Sequence, residues 1–431
     1  MKKKVKIGII GLGYVGLPLF LEFSKKFNVK GFDLSKEKVK KLYQKKDFTN
    51  QFDKKDLQKI SQKNVSYNSV ILKDCNFFIV TVPTPLNSKK LPDLSAVISA
   101  TKTVSKYIKD RGYVVYESTV YPGVTEDICI KIIEKQTGLK PFNDLNKNLK
   151  KGFYYGYSPE RINPGDSKHN LKRIIKITSG GTKSSAKFID NLYKKICLAG
   201  TYKAKSVRVA ESAKVIENTQ RDINIALVNE FSQIFSKMNI NIYDVLKAAK
   251  TKWNFLNFKP GLVGGHCIGI DPYYLAFKAK RIGYNSKLIL AGRKLNDEMH
   301  IFVIKKLFKK LKNNFKKKKY KILIAGLSFK ENINDFRNSR SIELAKVIKK
   351  KGHKLDVFDY NVSIKDFRKE HNLNIIKKPK KNFYDAVLIA VTHKKFQSQK
   401  KEYFSSLLKD KQKGVIFDMK NIFNSKKFIS L

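Results

Sequence analysis

Cys267 stands in the segment Gly261-Leu262-Val263-Gly264-Gly265-His266-Cys267-Ile268-Gly269-Ile270-Asp271-Pro272, with four glycines in the nine positions 261–269. That composition suits neither helix nor strand. It predicts a loop whose bare backbone lets a ligand approach a thiol. A thiol so placed could act as a nucleophile, or it could be a small buried residue, as many cysteines are. Asp271 could handle a proton or a water. Followed by Pro272, it also reads as a helix cap with proline at the first helical position, and the two roles are compatible. His266 reads as a loop residue. Upstream, Lys214 and Asn218 lie four apart in a helical pattern without Gly or Pro, from about Val209 to Met238, so they share one face. Glu211 and Arg221 extend that polar stripe. It is either an ordinary solvated stripe or, because Val215, Ile216, Ile223 and Ile225 make the other sides apolar, the wall of a cleft.

A second constellation lies near the N-terminus. Gly11-Leu12-Gly13-Tyr14-Val15-Gly16 follows the apolar run Val5–Ile10 and opens an apolar helical stretch, Leu17–Phe27. In a strand–turn–helix the first glycine permits the tight turn, and the second lets backbone N–H groups reach a pyrophosphate at the positive helix end. The third permits close helix–strand packing. Asp33 follows the next strand, Val29–Phe32, 22 residues after Gly11. A carboxylate there binds ribose hydroxyls and opposes a 2′-phosphate, so the expected cofactor is NAD rather than NADP.

The elements that must carry these groups alternate strand and helix. Phe77–Val82 and Tyr113–Tyr116 continue the strands, and Lys321–Ala325, Leu355–Phe358 and Ala386–Val391 restart the pattern beyond a Lys-rich stretch, Lys316–Lys319. The fold class expected is α/β: two doubly wound Rossmann-like domains joined by a central helical domain, with boundaries at 1–200, 201–312 and 313–431. The two α/β ends look alike only in pattern. The third lacks the glycine fingerprint, and its Lys330 and Arg337, just past a strand end, either meet part of a nucleotide or form a solvated basic loop. Within 431 residues there is no run of 18 apolar ones, so no membrane span is expected. Four cysteines without a CxxC pair argue against a disulfide framework or a zinc site, and for a reduced, cytoplasmic protein with no metal. The net charge of +54 raises the possibility of a nucleic-acid binder. However, ten of the ninety cations are Arg and the lysines are scattered, which reads instead as lysine filling solvated faces. Neither a nucleic acid nor a membrane is expected as a partner.

Taken together, the motifs resemble the UDP-glucose/GDP-mannose dehydrogenase family over about residues 5–420. The resemblance rests on the glycine turn, Val82-Pro83-Thr84-Pro85, Glu117-Ser118-Thr119-Val120, Ser158-Pro159-Glu160, the Lys214…Asn218 helix, Gly264-Gly265-His266-Cys267, Phe329-Lys330-Glu331 and Asp335-Phe336-Arg337. The wording around Glu160, Lys214 and Cys267 is similar to the branch acting on UDP-N-acetylhexosamines, which supplies N-acetylhexosaminuronic acids for surface polysaccharides. The resemblance implies a four-electron oxidation of a sugar C6 alcohol by NAD, with UDP-glucose as the alternative substrate, in a homodimer or higher homo-oligomer whose contacts lie in the central domain. It implies Cys267 as nucleophile, Lys214 and Asn218 as oxyanion partners, Asp271 as acid/base, Glu160 as the residue assisting thioester hydrolysis, and Thr119 near that water. It places NAD on Gly11, Gly13, Tyr14, Val15, Gly16, Asp33, Pro83, Thr84, Ser118 and Thr119. The UDP-sugar falls on Glu160, Lys214, Asn218, Arg221, Gly264, Lys330 and Arg337. One departure is Pro164, where UDP-glucose enzymes carry a second glutamate. Another is the arginine such enzymes contribute across the dimer; Lys252 and Arg221 are its possible replacements.

Overall fold

The computed structural model describes residues 4–47, 49, 51–144, 149–162 and 171–431. They form two compact units. One is the chain up to Glu217 with Tyr273–Tyr284; the other is Asn218–Pro272 with Asn285–Leu431.

In the first unit short apolar strands alternate with helices: β1 (Lys6–Ile10), α1 (Gly16–Phe23), β2 (Asn28–Phe32), α2 (Lys36–Tyr43), β3 (Val65–Ser66), β4 (Phe77–Val80), α3 (Ser95–Ser105), β5 (Tyr113–Tyr116), α4 (Lys131–Thr137), β6 (Lys140–Pro141) and β7 (Gly152–Tyr157). The strands form a seven-stranded sheet in the order β3-β2-β1-β4-β5-β7-β6, and its pairings are parallel. β4 is buried at every position, as a parallel strand covered on both faces must be. Ile7 and Ile9 of β1 join Leu17, Phe20 and Phe23 around α1 in one core. The chain leaves β1 toward one edge and returns as β4 on its other side. That reversal opens a crevice at the strands' carboxyl ends, the usual ligand position in such sheets. β8 (Lys176–Thr178), α5 (Lys183–Lys194) and β9 (Thr201–Lys203) follow, β8 and β9 pairing as a separate parallel ribbon.

The long helical period is α6 (Val207–Lys237), followed by α7 (Ile242–Ala249), α8 (Asp271–Arg281) and α9 (Lys287–Asn314). α6 and α8 each run across the division between the units, and α9 ends just before the Lys-rich stretch. In the second unit β10 (Lys321–Ala325), α10 (Arg340–Lys350), β11 (Lys354–Phe358), α11 (Ile364–Glu370), β12 (Ala386–Ile389) and β13 (Val415–Asp418) make a parallel sheet in the order β11-β10-β12-β13. Met299, Val303, Leu307 and Leu311 of α9 share its core with Ile322 and Ile324. Among the described residues no helix is long and apolar enough to cross a membrane.

The two α/β ends share more than an alternating pattern. Gly11 N–H donates to the Phe32 carbonyl and Gly326 N–H to the Phe358 carbonyl, each at 2.8 Å. Leu12 N–H donates to Asp33 at 2.9 Å and Leu327 N–H to Asp359 at 2.6 Å. One turn geometry is thus built twice from sequences that share little beyond Gly-Leu and Phe-Asp. Short-range motif comparison misses this because the matching bonds link residues on separate strands.

Candidate active site

The Gly11–Gly16 turn has the shape of a dinucleotide cradle. At Gly16 an added Cβ would sit 1.8 Å from the Gly11 carbonyl oxygen, so α1 can start this close to β1 only with glycine there. At Gly13 a Cβ would meet nothing within 4 Å among the described residues, leaving room over the start of α1 for a pyrophosphate. Tyr14 and Val15 complete the turn, half-buried. Asp33 is buried; its two oxygens accept the N–H groups of Leu12 and Ser35, both at 2.9 Å. An ionised carboxylate has about four acceptor positions, so capacity remains for ribose hydroxyls. These residues fit an NAD molecule. Pro83 is exposed and Thr84 half-buried beyond the end of β4, the Thr84 carbonyl accepting from Tyr274 at 2.9 Å. Ser118 Oγ donates to the Val82 carbonyl at 2.7 Å and so ties the ends of β4 and β5 together.

The same unit holds Thr119, half-buried, and the buried side chains of Glu160 and Lys214. Glu160 Oε1 accepts the N–H of Arg161 at 2.6 Å and of Ile162 at 2.5 Å. Its Oε2 is buried and has no hydrogen-bond partner among the described residues. Behind it lies a group that sequence reading missed: Lys176 Nζ is 2.6 Å from Glu117 Oε2 and 3.9 Å from Glu160 Oε2, and Tyr193 donates its hydroxyl to Glu117 Oε1. Burial pushes the Glu117 carboxyl up to about 7, against the pull of the Lys176 ammonium. Pro164 lies outside the described residues. Glu211 is not part of an open polar stripe. It is fully buried, accepting the Gly123 and Thr125 N–H groups at 2.6 and 2.9 Å, and burial pushes its carboxyl up to about 7.

The second unit assembles the thiol loop. The Cys267 carbonyl accepts the N–H groups of Ile270 and Asp271, at 3.0 and 2.9 Å, turning the chain into α8. Asp271 is buried, and its Oδ2 accepts the Asn218 amide at 2.6 Å. Cys267, Asn218 and Asp271 are therefore brought together. The loop is held from outside by close backbone approach. At Gly264 a Cβ would lie 2.5 Å from the Asn338 carbonyl, and at Gly265, with φ +86°, it would lie 2.5 Å from the Phe329 ring. Asn229 fixes the loop's start by exchanging two amide hydrogen bonds with Gly261. Behind it the buried Arg293 pairs with Asp222 and Asp297, and Arg340 also reaches Asp297. Cys267 is half-buried and the other three cysteines are buried. Burial pushes the thiols of Cys75, Cys129 and Cys197 up to about 12, so the half-buried thiol of Cys267 is the one suited to react.

His266 is more than a loop residue. Its Nε2 lies 3.2 Å from Asp335 Oδ2, and Asp335 in turn takes a two-point contact from Arg337, at 2.9 and 2.5 Å. Although burial opposes it, Arg337 and His266 hold the Asp335 carboxyl well below the usual carboxylate range. Exposed Arg337 and half-buried Lys330 thus sit in the segment that borders the thiol loop. Arg221 and Lys252 are exposed.

Three consecutive family models match the chain. They are the NAD binding domain, the central domain and the UDP binding domain of the UDP-glucose/GDP-mannose dehydrogenase family, over residues 5–197, 208–298 and 323–425. A UDP-N-acetyl-D-glucosamine 6-dehydrogenase of Pseudomonas aeruginosa is 45% identical over 426 residues, 99% of each chain. One from Salmonella typhi is 47% identical, covering 97% of this chain and 96% of its own. Among solved structures, a UDP-D-ManNAc dehydrogenase from Pyrococcus horikoshii superposes with a TM-score of 0.85 at 30% identity, over 99% of this chain and 98% of that one.

Proposed function

Since the chain belongs to the UDP-glucose/GDP-mannose dehydrogenase family and is an NAD-dependent nucleotide-sugar dehydrogenase, we propose that it oxidises the C6 alcohol of a UDP-N-acetylhexosamine to the uronic acid through a thioester on Cys267. The observation that carries this reading is the loop itself. The Asn218 amide bonds the Asp271 carboxylate at the start of α8, and the Cys267 carbonyl accepts the Asp271 N–H, so the residue bearing the thiol lies one turn from that pair. NAD bound on the Gly11–Gly16 turn supplies the hydride acceptor for each of two oxidations. The chain's own groups do the rest. The Cys267 thiol adds to the C6 aldehyde left by the first oxidation and restores a carbon bearing O–H and one C–H. After the second oxidation a thioester remains, and water cleaves it with Glu160 as base. Lys214 and Asn218 stabilise the negative oxygen at each tetrahedral stage. Lys330, Arg337 and Arg221 contribute cations to the nucleotide diphosphate, and Gly264 offers its backbone to the sugar.

Support for the N-acetyl group comes from the branch wording around Glu160, Lys214 and Cys267, and from the 45–47% identity to proteins bearing that name. UDP-N-acetylglucosamine or its galacto epimer is expected to exceed UDP-glucose in kcat/KM. A site that hydrogen-bonds an acetamido group leaves polar groups unpaired with a substrate lacking it, a discrimination that can reach about 10⁴. A sugar panel scored by NADH absorbance decides this, and a higher value for UDP-glucose overturns the assignment. Turnover is likewise expected to be faster with NAD⁺ than with NADP⁺, because Asp33 opposes a 2′-phosphate. Equal rates with the two cofactors would remove Asp33 from that role.

The product would feed surface polysaccharide synthesis. A homodimer is supported by apolar side chains exposed in the second unit: Leu227 and Ile234 on α6, Met238 just past its end, Leu288 and Ile301 on α9, and Trp253 at 92% exposure. Large exposed apolar side chains, where they gather into a patch, mark protein contacts.

A further inference from the structure

Lys176 is fully buried, on β8, with no place in the chemistry described so far. A buried ammonium is held only by strong partners. Its closest is Glu117, at 2.6 Å, at the end of β5 in the motif that also supplies Ser118 and Thr119. Tyr193 of α5 donates to the other Glu117 oxygen, and the ammonium lies over the Tyr193 ring, 5.7 Å from its centroid. Cys197 is the remaining titratable group facing it. On the far side stands Glu160. Its Oε1 is fixed by two backbone N–H groups, while its Oε2 is buried, 3.9 Å from Lys176 Nζ, and bonded to none of the described residues. The neighbouring Arg161 guanidinium is turned to Glu217, at 2.9 Å. So the cation nearest to Glu160 Oε2 among the described ion pairs is Lys176, and Glu117 competes for it.

We propose that Lys176 is a positioning residue for the hydrolytic half of the reaction: shared between Glu117 and Glu160, it is the buried countercharge that holds the Glu160 carboxylate toward the attacking water. The inference rests on the role given to Glu160 above. Its physical basis is that a cation about 4 Å from a carboxylate favours the charged form, whereas a second carboxylate on the same cation weakens that help. A base must be ionised to take the water's proton, so the consequence falls on thioester cleavage and not on the two oxidations.

The arrangement predicts opposite effects from its two sides. In Lys176→Met the cation is lost. The acidic limb of the kcat profile should move up by about one pH unit or more, and kcat at neutral pH should fall at least about tenfold. A rapid burst of NADH should precede a slow steady state, and intact-mass measurement should find the sugar acyl group on the enzyme. In Glu117→Gln the competitor is lost while the shape is kept, and Lys176 is free to serve Glu160. The acidic limb should then move down. kcat/KM for both substrates should stay put in each, because it covers only the steps up to the acyl-enzyme, and Lys176→Arg should restore most of the wild-type profile. A residue needed only for folding would lower active enzyme without moving the limb in either direction.

If Lys176→Met does not fold, Glu117→Gln and Lys176→Arg still carry the test through their pH profiles. Glu160→Gln separates the two readings. Should it form acid at the wild-type rate, the role of Glu160 is wrong. Should it stall as the acyl-enzyme while Lys176→Met and Glu117→Gln leave the acidic limb unmoved, Glu160 keeps its role and Lys176 is structural.

Discussion

Cys267→Ala is expected to bind UDP-sugar and NAD⁺ as the wild type does and to form no uronic acid at a measurable rate. The first oxidation needs no thiol; it takes a hydride from a carbon that already carries O–H. Its aldehyde product is planar and has no carbinol from which a second hydride can leave. Without the thiol, only hydration of the aldehyde makes such a carbon, and removing a covalent nucleophile typically costs about three orders of magnitude or more. Cys75, Cys129 and Cys197 cannot substitute, since all three are buried. Product analysis by mass, with binding measured calorimetrically, checks both halves. Normal acid yield would take the thiol out of the mechanism and leave aldehyde hydration in its place.

The second large effect is expected for Lys214→Ala: both oxidations slowed, by about 10²–10³. Lys214 is buried on α6 at 7% exposure, so its charge acts where water screens it poorly. A developing oxyanion then gains more from it than from a solvated lysine. Single-turnover NADH traces resolve the two phases. The accompanying measurement is Tm. A rate loss matched by a large fall in Tm would make Lys214 a structural residue rather than an oxyanion partner.

What was legible in the sequence is what short spacing encodes. Gly11, Gly13, Gly16 and Asp33 announce a turn whose geometry depends on glycine at named offsets, and the structure builds that turn with Asp33 bonded to Leu12. The glycines around Cys267 likewise report close approach, though not to what; the Asn338 carbonyl and the Phe329 ring come from another stretch of chain. Glu211 read as part of a stripe because helical spacing cannot tell a solvated face from one that caps a neighbouring segment. Lys176 was invisible for two reasons. Its partners Glu117 and Tyr193 lie 59 and 17 positions away, and only the fold brings them together. Moreover, it is one of 80 lysines in the composition, and a buried one carries no mark. Among the described residues, Lys176 and Lys214 are the two lysines that burial singles out. In so basic a chain, burial rather than charge is the feature that points to chemistry.

The turn built twice has a consequence for what each end can accept. Asp33 and Asp359 occupy the same place in the same backbone frame. Their side chains have parted company. Asp359 accepts N–H groups from Leu327, Ser328, Asn361 and Val362 and is sealed by His393 Nε2 at 2.9 Å, leaving its side chain no exposure. Its carboxylate is committed to the protein, whereas Asp33 keeps acceptor capacity for a guest. One imidazole is enough to separate two cradles built on one backbone frame: likeness of fold does not carry likeness of ligand.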